Sequence, residues 1–114
     1  MDKIEEIREL FANEAQESGA KLNFNVTVNC KAFEMNTNDL PAQRYQSACE
    51  QVGVEPEFVE TYGGSDFNIL AEKGMIGLVL SNAMNDVHSC KEYTSVADLV
   101  QSTQIVTKIM QDNR

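Results

Sequence analysis

The chain has 114 residues, 42% hydrophobic and 24% charged, which fits one small soluble domain able to bury a core and excludes a fully disordered chain. Its formal net charge is −9, and its nine Lys and Arg residues are spread without a cluster. That excludes a phosphate-neutralising footprint for nucleic acid and a docking face for an anionic membrane, and leaves solubility as the plain reading of the acidity.

Residues 3–18 read as an amphipathic helix. Ile4, Ile7, Phe11 and Ala15 form one stripe, Asp2 stands at the cap, and Gly19 follows where a left-handed residue is wanted. The period then changes. Leu22, Phe24, Val26, Val28 and Cys30 alternate with Asn23, Asn25, Thr27 and Asn29, the pattern of a strand with one dry face. Residues 36–39 are a turn-rich break. Pro41 suits the first turn of a second helix carrying Tyr45, Ala48, Cys49 and Val52, which Gly53 ends.

Residues 58–62 fit a short strand that runs into Gly63-Gly64-Ser65-Asp66 and a short helix with Phe67, Ile69 and Leu70, closed by Gly74. Residues 75–80 are apolar apart from Gly77, as expected of a strand buried on both faces, and far too short to span a bilayer. A loop over 81–93 holds the single histidine, His88. Ser95 and Asp98 resemble a capping box opening the last helix, built on Val96, Leu99, Val100, Thr103, Ile105, Val106, Ile109 and Met110. Alternation of helix and strand predicts an α/β fold with mainly parallel pairing.

The three cysteines, Cys30, Cys49 and Cys90, make no Cys-x-x-Cys spacing. Free thiols of this kind suit a reducing cytoplasm rather than a disulfide framework or a zinc finger. Glu5 and Glu6 point about 100° apart on a helix, so they read as a solvated face rather than a paired acid and base. Two features carry chemistry. The loop Gly63-Gly64-Ser65-Asp66 reads either as a tight turn with a cap or as an amide cradle for a carboxylate. His88, beyond the apolar run, reads either as an ordinary loop histidine or as a metal ligand. Cys90 joins it as a ligand only if further ligands arrive from elsewhere.

The text Gly63-Gly64-Ser65-Asp66-Phe67-Asn68-Ile69-Leu70-Ala71-Glu72-Lys73-Gly74 resembles the Gly-Gly-Ser-Asp-Ala-Asn loop and helix of the peptidase T-like branch of the co-catalytic zinc peptidases. That group includes acetylornithine deacetylase and succinyl-diaminopimelate desuccinylase. Residues 75–80 are similar to its next strand. Asn85-Asp86-Val87-His88-Ser89 with Glu92-Tyr93 is close to its Asn-Val-His-Ser/Thr-x-x-Glu-Tyr signature, and Asp98-Leu99-Val100 matches its last helix. Residues 1–35 resemble, more weakly, the last helix and strand of the family's small lid domain. Residues 36–114 then resemble the C-terminal part of the catalytic domain.

The resemblance implies a partial three-layer sheet with flanking helices, preceded by a helix–strand remnant of the lid. It also implies a dinuclear zinc peptidase acting on short peptides, an aminopeptidase or tripeptidase. His88 corresponds to the last metal ligand, and Gly63, Gly64, Ser65 and Asp66 to the loop lining the cleft. The family's other ligands and its general base have no counterpart here, and a catalytic zinc needs about three protein ligands. The chain by itself is therefore expected to be inactive. The match covers only the last third or so of a full member, so uncovered strand edges and helix faces are expected to drive homo-oligomerisation. A self-associating or partner-binding module, and a small binder of carboxylates, stand as alternatives.

Overall fold

The computed structural model describes residues 2–113, and among them the regular elements are four helices: α1 (Lys3–Ser18), α2 (Leu40–Val52), α3 (Phe67–Glu72) and α4 (Val96–Gln111). Met1 and Arg114, the outer ends of the two expected parts, lie outside the described residues. Each helix forms where the local signals place it. The Asp2 carboxylate accepts the Ile4 N–H at 3.2 Å, satisfying one of the orphan donors of the first turn of α1. Ser95 Oγ does the same at α4, accepting the Asp98 N–H at 3.0 Å.

The first three helices end alike. Past α1, Ala20 N–H donates to Ala15 C=O at 2.8 Å and Gly19 N–H to Gln16 C=O at 3.3 Å, with Gly19 at φ 70°. Val54 and Gly53 repeat this past α2, and Met75 and Gly74 past α3. This paired closure satisfies two terminal carbonyls and requires a left-handed residue at its centre, which glycine supplies without a Cβ penalty.

The expected α/β sheet does not form. Residues 22–30, 58–62 and 75–80, each expected as a strand, lie outside any regular element, and the described residues contain no strand. One isolated antiparallel bridge joins Asn85 to Tyr93. The physical reason is the non-local character of a ladder. A helix closes its hydrogen bonds within four residues, whereas a strand makes all of its bonds to another segment. None of the three segments finds such a segment here, so neither the three-layer sheet nor the helix–strand unit of the lid is present.

The shape follows. The described chain measures 63 × 36 × 19 Å with a radius of gyration of 20.3 Å, against about 13 Å for a compact chain of this length. Its accessible surface is 9487 Å², whereas a folded monomer of this mass exposes roughly 6,200 Å². Among the described residues the one dry centre lies between α2 and α4, where Ala42, Ala48 and Cys49 are 0–1% exposed. Small residues there let the two helix backbones approach. The Arg44 guanidinium donates to the Asp112 carbonyl just past the end of α4, and its Nε lies 3.8 Å from the Asp112 carboxylate.

Aromatic contacts join further segments, one of them to α2. Tyr45 meets Phe58 edge-on at 5.4 Å, Phe33 meets Phe67 edge-on at 5.0 Å, and Phe11 of α1 meets Phe24 at 6.0 Å with Arg8 over the same ring at 5.2 Å. Gly77 is required by the second of these contacts, since a Cβ there would stand 2.7 Å from the Phe67 ring.

Burial pushes the Tyr45 hydroxyl above the ordinary tyrosine range, and its hydrogen bond with Cys49 adds to the shift. A raised folded-state value means the folded chain holds the phenolic proton more tightly than the unfolded one. The stability tied to it is complete below the ordinary value of about 10 and falls as pH rises through the raised value. Helix content followed by circular dichroism is expected to hold to about pH 10 and to drop above it. Tyr45→Phe should make that part of the profile shallower.

Candidate functional site

The two features singled out in the sequence sit on different segments. The first, residues 63–66, leads into α3. Gly63 N–H donates to Thr61 Oγ1 at 3.1 Å, and Ser65 N–H donates to Asn68 Oδ1 at 2.9 Å, with Ser65 Oγ 3.3 Å from the same oxygen. The Asn68 amide nitrogen then donates to the Lys31 carbonyl at 2.7 Å. Asn68 is the one buried polar residue among those described, 8% exposed. It ties the loop to a segment 37 residues earlier. Lys31 adds an ion pair with Glu72 of α3 at 2.5 Å, and that partner holds its amine above the usual lysine range. Gly64 faces the Cys30 thiol so closely that a Cβ would stand 3.2 Å from the sulfur.

Gly63, Gly64 and Asp66 are exposed and Ser65 is half-buried. Two of the four amides of this loop are thus engaged within the chain, which uses it as a turn and anchor for α3. Asn68→Ala is expected to cost about 1–3 kcal/mol by stranding the Ser65 and Lys31 backbone groups. Denaturant midpoints measure the loss, and faster amide exchange confined to residues 63–68 locates it.

The second feature is the loop over 85–93. Asn85 and Tyr93 exchange two backbone hydrogen bonds, 2.9 and 3.1 Å, closing its neck. Inside it, Ser89 Oγ donates to the Asp86 carbonyl at 2.8 Å and accepts the Lys91 N–H at 3.0 Å, while Glu92 N–H donates to the Ser89 carbonyl at 3.2 Å. His88 is exposed, stands at φ 62°, and donates its backbone N–H to Glu92 Oε2 at 2.9 Å. Its imidazole makes no hydrogen bond or ion pair among the described residues.

No hydrogen bond or ion pair among the described residues links this loop to residues 63–66. Neither do the described residues gather three or more His, Cys, Asp or Glu side chains where a metal could be held. Cys90 is exposed and free. Two residues already quoted in the family-like motifs, Asn68 at the start of the helix behind the loop and Glu92, make contacts that the sequence did not assign to them. Asn68 carries the long-range tie to Lys31, which no local pattern announces. Glu92, four places after His88, braces the histidine backbone; its spacing within a turn-rich loop was the available signal.

A search of solved structures finds no match to this chain. Among curated proteins it is similar to the Bacillus subtilis (strain 168) protein named uncharacterized protein YqjE, 21% identical over 110 residues. The similarity covers 96% of this chain and 30% of that relative, so the chain spans about a third of the relative's length. The family model for peptidase family M20/M25/M40 matches residues 6–112. That match takes in most of α1, both loops and α4, and on it the chain belongs to the peptidase family M20/M25/M40.

Proposed function

We propose that this chain supplies one wall of a peptidase cleft and works only together with further residues of the M20/M25/M40 fold. The observation that supports this is a family match over residues 6–112 in a chain that holds one histidine. Members of the family typically bind zinc. The residues present do not make a zinc site by themselves, because a catalytic zinc needs about three protein ligands and no such group gathers among the described residues. In this reading His88 is the metal ligand that the chain contributes. Residues 63–66 line the cleft beside the carboxylate of a short peptide, the substrate of an aminopeptidase or tripeptidase of the peptidase T type. Residues 1–35 belong to the lid side and residues 36–114 to the catalytic side.

The test is reconstitution. The chain alone, with zinc supplied, is expected to leave tripeptides intact. Mixed with the N-terminal portion of a full-length family member, it is expected to restore zinc-dependent hydrolysis. Hydrolysis by the purified chain alone, or none from the mixture once a complex has been shown, would refute the proposal.

A second reading, a self-associating module, is favoured by the exposed apolar side chains of α1 and α4, among them Leu10, Phe11, Val96, Leu99 and Val100. Light scattering separates it from the first. A mass that grows with concentration supports it, and a monomer over a wide range removes it.

A further inference from the structure

The loop over 85–93 pays an unusual conformational cost around one side chain. Three non-glycine residues within it and just before it take the left-handed region: Ala83 at φ 63°, Asp86 at 49° and His88 at 62°. In that region the Cβ of an L-residue crowds the following carbonyl oxygen, so such residues persist only where the surroundings over-determine them. At the neck, the Asn85 and Tyr93 bonds fix where the chain enters and leaves. The Ser89 hydroxyl, bonded on both sides, fixes the turn after Asp86. His88 lies inside that turn, so these bonds constrain it only as one residue of a closed segment.

The bond made by His88's own amide is the one from its N–H to the Glu92 carboxylate, at 2.9 Å. A charged acceptor makes it stronger than a neutral one. A carboxylate placed four residues on thus accepts the amide of His88 while that residue stands at positive φ. The result is an exposed imidazole that makes no hydrogen bond or ion pair among the described residues, on a residue whose backbone amide is held.

We propose that Glu92 is the positioning residue of His88, its carboxylate holding the histidine backbone in the left-handed conformation that presents a free imidazole. The proposal rests on the reading of His88 as the chain's contribution to the cleft. Glu92 itself touches neither substrate nor metal in it. A histidine that must meet groups from outside the chain benefits from being set in advance, because loose geometry at such a group is costly.

The experiment is nuclear magnetic resonance of the full chain and two variants, Glu92→Gln and Glu92→Ala. It reads amide exchange at His88, Asn85 and Tyr93, and the His88 backbone angle from residual dipolar couplings. In the unaltered chain the His88 amide is expected to be protected and its φ positive. Glu92→Gln, whose side-chain carbonyl accepts the same N–H, should keep φ positive with weaker protection. Glu92→Ala should speed His88 exchange by roughly tenfold or more and release φ to negative values, as expected from loss of a hydrogen bond to a charged group. Exchange at Asn85 and Tyr93 should stay unchanged.

His88 exchange and φ unaltered in Glu92→Ala would overturn the proposal. So would equal loosening at Asn85 and Tyr93, which would make Glu92 a general brace of the loop. Adding His88→Gly to Glu92→Ala supplies a second check, since glycine regains positive φ without the carboxylate. If it does not, the neck and not Glu92 sets the angle. None of these readings involves zinc or hydrolysis, so a failure here is distinguishable from a failure of the reconstitution.

Discussion

His88→Ala is expected to abolish the hydrolysis gained when the chain is combined with the N-terminal portion of a full-length relative. The loss should be roughly 10²-fold or more, since removing even a residue that only supports a metal ligand costs 10–100-fold. The chain's own structure should not change much. His88 is exposed and its imidazole carries no bond among the described residues, so no packing is lost with it. Helix content and the denaturant midpoint should therefore match those of the unaltered chain within about 0.5 kcal/mol. His88→Gly gives the companion result. At φ 62° glycine is at ease where alanine is strained, so the glycine variant removes the imidazole and relieves the backbone. Equal loss of activity in both variants assigns the effect to the imidazole. Activity retained by the glycine variant would assign it to the backbone and remove His88 from the cleft.

The largest effect on stability is expected from Ala48→Asp. Ala48 is 1% exposed in the seam between α2 and α4, flanked by Cys49, which is fully buried. A carboxylate there loses its water, and the guanidinium one turn earlier, Arg44, is already held by Asp112; a buried charge so poorly paired costs about 3–5 kcal/mol. The seam is the one dry centre among the described residues, so little remains to compensate. Near-complete loss of cooperative unfolding by circular dichroism is the expected outcome. Ala48→Ser, which adds a small hydroxyl, should cost much less. An Ala48→Asp chain with an unchanged unfolding curve would mean that α2 and α4 do not hold each other in solution.

The legible and illegible parts of this fold divide along the range of the forces. Every helix could be read because its instructions are local. Asp2 and Ser95 cap the starts, and Gly19 and Gly53 terminate their helices with the paired closure, as Gly74 does one residue past the C-cap of α3. The three expected strands failed because alternation at residues 22–30 and an apolar run at 75–80 specify which faces are dry, not what pairs with the edges. The exposed surface of 9487 Å² is the cost of those missing partners.

The candidate site divides in the same way. His88 and the Gly63-Gly64-Ser65-Asp66 loop stand out in the sequence because their residue types are unusual at those places. What holds them was not visible there. Asn68 reaches the Lys31 carbonyl across 37 residues, and Cys30 lies against Gly64, contacts that depend on the tertiary path of the chain. The role of Glu92 is local, four residues from His88, but depends on a backbone angle that residue type suggests only weakly.

The most direct measurement is a calorimetric titration of the isolated chain with zinc. A chain that brings one histidine to a site completed from outside should show no saturable binding at one zinc per chain. The same titration of its complex with the N-terminal portion of a relative should show binding that His88→Ala weakens. A tight site at one zinc per isolated chain would contradict the proposal that the chain contributes a wall and not a whole centre.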